Sequence, residues 1–192
     1  MKHLLGILLM ATLWSLPTHA QFQPGDWIVG GQWSSHATKY GEPFGMFTID
    51  LNYFVHERVS LNHTYAFSEG YFRVPAGYAL AAAIGGLSGD VEGLLALFMI
   101  PEGVTYFHPM GRHFTMGTYV NLIGVEFNDR ELEQQNEWNL NGAIGARAYA
   151  LLGERWVLNA SVEMRMAYTE PNRWGNVNIG GGLGYRFYYD IF

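Results

Sequence analysis

Along much of the chain, apolar and polar positions alternate with a period of two, the mark of strands with two unlike faces. From Val177 the odd positions run Val177, Ile179, Gly181, Leu183, Tyr185, Phe187, Tyr189 and Ile191. The even ones are Asn178, Gly180, Gly182, Gly184, Arg186, Tyr188 and Asp190. The preceding segment sets Trp156, Leu158, Ala160, Val162, Met164, Met166 and Tyr168 against Val157, Asn159, Ser161, Glu163, Arg165 and Ala167. Phe47 to Val55 and Trp138 to Ala148 alternate in the same way. Such runs reach roughly 10 residues, the length of a bilayer-crossing strand, whereas soluble strands average about 5–6. The run from Phe114 to Phe127 is strand-like but less cleanly two-faced.

The pattern predicts eight strands, at 26–33, 44–55, 59–67, 104–109, 114–127, 137–152, 156–169 and 177–189. Short connections at 56–58, 110–113 and 153–155 take turns with longer polar ones at 34–43, 128–136 and 170–176. Strands in this number and rhythm predict an all-β fold, an eight-stranded antiparallel up-and-down transmembrane β-barrel with short turns at one end and long loops at the other.

Gly77 to Ile100 breaks the alternation. It is long and apolar, and its Ala and Leu favour helix. Gly85-Gly86 and Gly89 are expected to interrupt that helix, which predicts two helical pieces at 78–84 and 90–99, ended by Pro101. A spanning helix is disfavoured, because Asp90 and Glu92 fall near its middle. Counting eight strands puts this insertion in a connection on the long-loop side. An additional strand at 71–76 would move it to the other side.

Composition sharpens the picture. Aromatics are 16% of residues and charged residues 15%, against about 25% charged in soluble domains. With 24 glycines, this suits a protein whose exterior does not meet water. The net charge of −6 argues against nucleic acid, which needs a basic surface. The chain has no cysteine, so disulfides and thiolate metal sites are excluded. Lys2 and His3, the apolar run Leu4 to Leu16, and the small residues up to Ala20 have the layout of a secretory signal peptide. The expected division is a signal segment at 1–20 and one barrel domain at 21–192.

The signal segment, the amphipathic strands, the alternating connections and the aromatic-rich end finishing in Phe192 resemble the small outer-membrane β-barrel proteins, of the OmpX and OmpA membrane-domain kind. The resemblance covers architecture over residues 21–192. It implies a porin-like barrel in the outer membrane of a diderm bacterium, in contact with lipid and inserted by the barrel-assembly machinery, with no cofactor. Tyr188 and Phe192 match the family's terminal assembly signal, although Arg186 and Asp190 interrupt the alternation that leads to Phe192. Trp156, Tyr168, Tyr185, Phe187 and Tyr189 are expected at the membrane interfaces, as aromatic girdles.

The inward faces carry Asp50, Arg147, Glu163, Arg165 and Arg186. Counting back from the turn at 153–155 sets Arg147 opposite Ser161 and diagonal to Glu163. An ion-pair cluster that locks the lumen follows, because an unpaired buried charge is very costly; the rival is an ion path. The interior of an eight-stranded barrel is just filled by side chains, so no open pore is expected. The histidines have no metal-binding spacing. Ile179 to Gly184 (IGGGLG) is glycine-rich but lacks the helix and the Lys-Ser/Thr of a phosphate loop.

These features favour a non-enzymatic structural or surface-interaction role, with Arg173 and Trp174 at a loop tip offered to an extracellular ligand. One alternative is a lipid-modifying enzyme of the lipid A deacylase kind, using His63, Thr64 and Glu69. It requires the three to meet in space, although His63 and Thr64 have opposite parity. The other is a soluble, exported lipocalin-like barrel, with its polar face outside and its apolar face inside.

Overall fold

The computed structural model describes residues 21–37, 44–88, 100–128, 137–168 and 174–189. The expected signal segment, the second helical piece at 90–99, the loop residues 129–136, Arg173 and Phe192 lie outside them. The strands are β1 (Asp26–Ala37), β2 (Phe44–His56), β3 (Val59–Ser68), β4 (Tyr71–Pro75), β5 (Gly103–Pro109), β6 (Phe114–Asn128), β7 (Glu137–Leu152), β8 (Trp156–Ala167) and β9 (Trp174–Tyr188). Among the described residues one helix, α1 (Ala76–Ser88), lies between β4 and β5. Trp174, expected at a loop tip, is instead the first residue of β9.

Every pairing is antiparallel, and the sheet closes on itself where β1 meets β9, from Asp26↔Tyr188 to Ala37↔Val177. Nine strands make eight staves. β4 and β5 share the slot between β3 and β6: β4 pairs with Ala66 to Ser68 and with Gly124 to Asn128. β5 takes the other half, against Val59 to Asn62 and Thr115 to Asn121. Neither piece is long enough to cross a bilayer, and together they cross it once.

The insertion is therefore attached at neither end of the barrel, contrary to the expectation of a long-loop connection. It leaves the wall after Pro75, half-way along a stave, and the chain re-enters at Glu102. α1 packs on the outside of the barrel, where Tyr78 meets Tyr65 edge-on at 5.7 Å between ring centroids and Ala81 is fully buried. The expected break at Gly85-Gly86 does not occur, and α1 runs on to Ser88. In water, glycine weakens a helix partly by exposing its backbone. Beside a lipid-facing wall, leaving the helix would strand N–H and C=O groups without partners.

The irregular alternation of the sixth strand also has a local cause. The β6–β7 register shifts between Asn121 and Gly124, and Leu122 and Ile123 both point outward. Before this bulge the even positions of β6 face out; after it the odd ones do. The bulge sits beside the interrupted stave.

The predicted short turns lie together at one end. Connections at 57–58, 110–113 and 153–155 gather at the end that also holds Asp26 and Tyr188. Gly153, at φ 74°, supplies the left-handed residue of one of them. The opposite end holds the two-residue β3–β4 turn, where Gly70 has φ 67°. The outward face is apolar and exposed: Trp33, Phe47, Val120, Ile144, Leu158, Val162, Ile179 and Leu183 belong to it. The inward face is polar. This arrangement is the reverse of what a lipocalin-like barrel in water requires.

Candidate functional site: the polar lumen

Strand alternation sends every second side chain inward, and in this sequence those side chains are largely Asn, Thr, Ser, Tyr, Arg and acids. They stack in layers along the barrel. At the short-turn end lies an aromatic floor of Phe22, Ile28, Phe54, Phe107, Tyr149 and Val157. Phe22, from the segment before β1, stacks on Phe54 at 4.3 Å. Gln21 pins this segment in place, its side-chain amide donating to the carbonyls of Gly111 and of Phe114, the latter at 2.8 Å.

Above the floor, Arg147 donates to Asn52 Oδ1 at 3.0 Å, and its guanidinium covers the Tyr119 ring at 4.0 Å. The Tyr119 hydroxyl donates to Glu163 at 2.8 Å. Glu163 forms an ion pair with Arg165 and accepts from Asn178 at 2.9 Å. Arg165 donates to the Tyr71 hydroxyl, which donates in turn to Glu126 at 3.3 Å. Asn141 links Glu126 (2.7 Å) to Arg73 (2.9 Å). Asp50 accepts from the Thr64 hydroxyl at 2.9 Å. Nearer the long-loop end, buried His36 bonds Asn178 and packs against Phe44 and Tyr71.

Arg73 and Glu102 form an ion pair with both side chains fully buried, at the point where the stave is interrupted. Extending the β3–β4 register by two residues from Ala66↔Arg73 sets Thr64 opposite Pro75. Proline has no N–H to donate across the ladder. The missing donor is supplied by Arg73, whose Nη1 reaches Thr64 O at 3.2 Å. Thr64 N–H donates to the Glu102 carboxylate at 3.0 Å. The Glu102 backbone resumes the ladder, donating to Asn62 O at 3.0 Å and accepting from Leu122 N at 2.9 Å. Side chains thus do the work of main chain across the break. The bulky guanidinium also explains Gly124, where a Cβ would lie 2.4 Å from Arg73 Nη2.

A cavity of about 10 Å³, lined among others by Asp50, Thr64, Tyr119, Glu163 and Arg165, has room for about one water molecule. Among the described residues, no group of His, Cys, Asp and Glu is arranged to hold a metal ion.

No protein-family model matches the chain, and no curated protein does. Solved structures do match. The N-terminal β-barrel domain of Pseudomonas aeruginosa OprF is similar at a TM-score of 0.53 and 12% identity, over 86% of this chain and 98% of that one. The outer membrane protein OprG from Pseudomonas aeruginosa is similar at 0.51 and 11%, over 89% of this chain and 100% of that one. This chain has the fold of the small outer-membrane β-barrels. Its exterior of exposed apolar side chains is that of a barrel wall that faces lipid.

In this barrel the five inward charges expected from sequence divide. Asp50, Arg147, Glu163 and Arg165 all lie in the lumen, and Arg147 is opposite Ser161 as counted. Arg186 does not join them. It lies at the short-turn end, opposite Ile28, and pairs there with Asp26 at 2.7 Å. Arg73, Glu102 and Glu126 escaped the sequence reading. Arg73 shares parity with Tyr71 in a strand too short to show a period, and Glu102 follows an apolar run with no alternation at all.

Trp156 opens β8 and Tyr168 follows its last residue, both exposed, and Phe187 and Tyr189 are exposed near the short-turn end. Trp156 meets Tyr185 edge-on at 5.2 Å. Tyr188 is exposed at the same end. His63 is on the outward face, while the Thr64 hydroxyl points inward to Asp50, so the two face opposite sides of the wall.

Proposed function

We propose that this outer-membrane barrel is a non-enzymatic structural or surface-interaction protein with a sealed lumen. One observation carries the reading: a continuous polar network runs through the interior over an aromatic floor, and the cavity beside Asp50, Thr64 and Glu163, of about 10 Å³, admits about one water molecule. A barrel filled in this way acts through what it presents at its ends and along its outer surface. The charges at Asp50, Glu163 and Arg165 then hold the wall in register rather than conduct. The loops at the long-loop end are the surface for an extracellular ligand. Tyr188 with Phe192 is the segment read by the assembly machinery, and 1–20 is the export signal. The split between outward His63 and inward Thr64 speaks against a hydrolytic triad.

The test is conductance. Purified protein reconstituted in planar lipid bilayers is expected to give no discrete current steps. Liposomes carrying it are expected not to swell in small sugars. Reproducible steps from the wild-type protein would overturn the sealed-lumen reading.

A further inference from the structure

At the short-turn end the wall holds a cleft of about 550 Å³, lined by Asp26, Glu154, Arg155, Tyr185, Arg186, Phe187 and Tyr188. Its size lies in the range of small-molecule sites, about 300–1,000 Å³. It sits where the apolar belt gives way to the turns, at the depth of lipid headgroups. By the usual asymmetry of these barrels this is the periplasmic face.

The charges of the cleft are two acids and two guanidiniums, and they are not equivalent. Asp26 and Arg186 are committed to each other at 2.7 Å, and Asp26 also accepts from Gln23 N–H at 2.6 Å. Glu154 and Arg155 are exposed in the β7–β8 turn. Arg155 is held in place from two sides. It donates to the Tyr185 hydroxyl at 2.9 Å, and its carbonyl accepts from Arg186 N–H at 2.6 Å. A guanidinium has five N–H donors, so Arg155 keeps donors for another acceptor, in the fork geometry that suits phosphate. Next to it Glu154 offers a carboxylate to a cation. Below both, Tyr185 and Phe187 lead onto the apolar exterior.

We propose that this cleft binds one phospholipid with a zwitterionic phosphoethanolamine headgroup. The phosphate rests on Arg155, the ammonium on Glu154, and the acyl chains run down past Tyr185 and Phe187. The balance of charge selects the zwitterion: an anionic headgroup would satisfy Arg155 and leave Glu154 facing a negative group. The inference rests on the barrel's standing in a membrane with its short turns inward, and not on the lumen being sealed.

Native mass spectrometry of the detergent-folded protein tests it. The protein is mixed with phosphatidylethanolamine, with phosphatidylglycerol, or with soluble glycerophosphoethanolamine. The expected result is one phosphatidylethanolamine retained per barrel, in preference to phosphatidylglycerol. Arg155→Ala and Glu154→Gln should each weaken retention about tenfold, the loss of one charge-assisted contact. Equal retention of the two lipids, or retention unchanged in Arg155→Ala, would overturn the proposal. Tight binding of soluble glycerophosphoethanolamine would overturn the lipid as the source of the headgroup. Heat-modifiable migration of each variant separates a lost barrel from a lost lipid, and Arg155→Gln replaces Arg155→Ala should the latter not fold.

Discussion

Pro75 withholds an N–H from the barrel wall and Arg73 provides one in its stead. This makes the Arg73–Glu102 pair unlike most buried ion pairs. Exchanging such a pair for apolar residues is often neutral or stabilising. Here the same two side chains, through Arg73 Nη1 and the second carboxylate oxygen of Glu102, also satisfy the C=O and N–H of Thr64. Glu102→Ala should cost about 3–5 kcal/mol, because it strands a buried guanidinium. The double variant Arg73→Met with Glu102→Met should remain destabilised by about 1–3 kcal/mol for each backbone group left unpaired. Urea unfolding of the detergent-folded protein measures both, and a double variant as stable as wild type would show that the wall closes without these side chains. At this scale the sequence was partly legible. Asp50, Glu163 and Arg165 could be assigned to the interior because parity alone decides it. Arg186 shares their parity but lies outside their cluster, because height depends on the register with β1, which parity does not reveal. Glu102 carried no signal, since its role comes from a break in the wall that no local pattern announces.

The broken stave is the main departure of the elements from a simple meander. Continuing the ladder from β4 and from β5 brings Pro75 opposite Thr64 and Glu102 next to Asn62, so the stave is nearly continuous without the segment between them. Deleting residues 76–101 and joining Pro75 to Glu102 should therefore leave a folded barrel, with heat-modifiable migration and an unchanged far-ultraviolet β signature. Loss of both would mean that α1 is needed to close the wall. Strands with long, clean alternation, such as β8 and β9, were readable from sequence almost to their ends. β6 was readable as a strand but not as a two-faced one, because one bulge inverts its parity at Leu122 and Ile123. β4 gave too few residues to establish a period. The insertion could be recognised as foreign to the pattern, yet its place could not, since the reading assumed that each strand crosses the membrane in one piece.

For the molecule as a whole, the deciding property is that polar side chains are inside and apolar ones outside. Val162 is 47% exposed. In a water-facing wall, replacing an exposed side chain there would change stability by no more than about 0.5 kcal/mol. Facing the middle of a bilayer, Val162→Arg should cost about 2–4 kcal/mol, and Leu152→Arg, at the short-turn rim, about 0–1 kcal/mol. Unfolding titrations of the two variants in lipid vesicles check this, and equal small effects would contradict a lipid-facing wall. The shared stave also bears on the order of assembly. β4 meets β3 through a two-residue turn, so that hairpin is quick to form. β5 must then return across the whole of Ala76 to Pro101 to a slot whose far half is already occupied. Its register is preset by where β4 stops, and little search remains once it arrives. Because loop-closure entropy grows only by about 0.6 kcal/mol for each doubling of length, the excursion can lengthen or shorten at little cost to the finished barrel. The wall at this one stave is therefore a tolerant place to carry additional sequence.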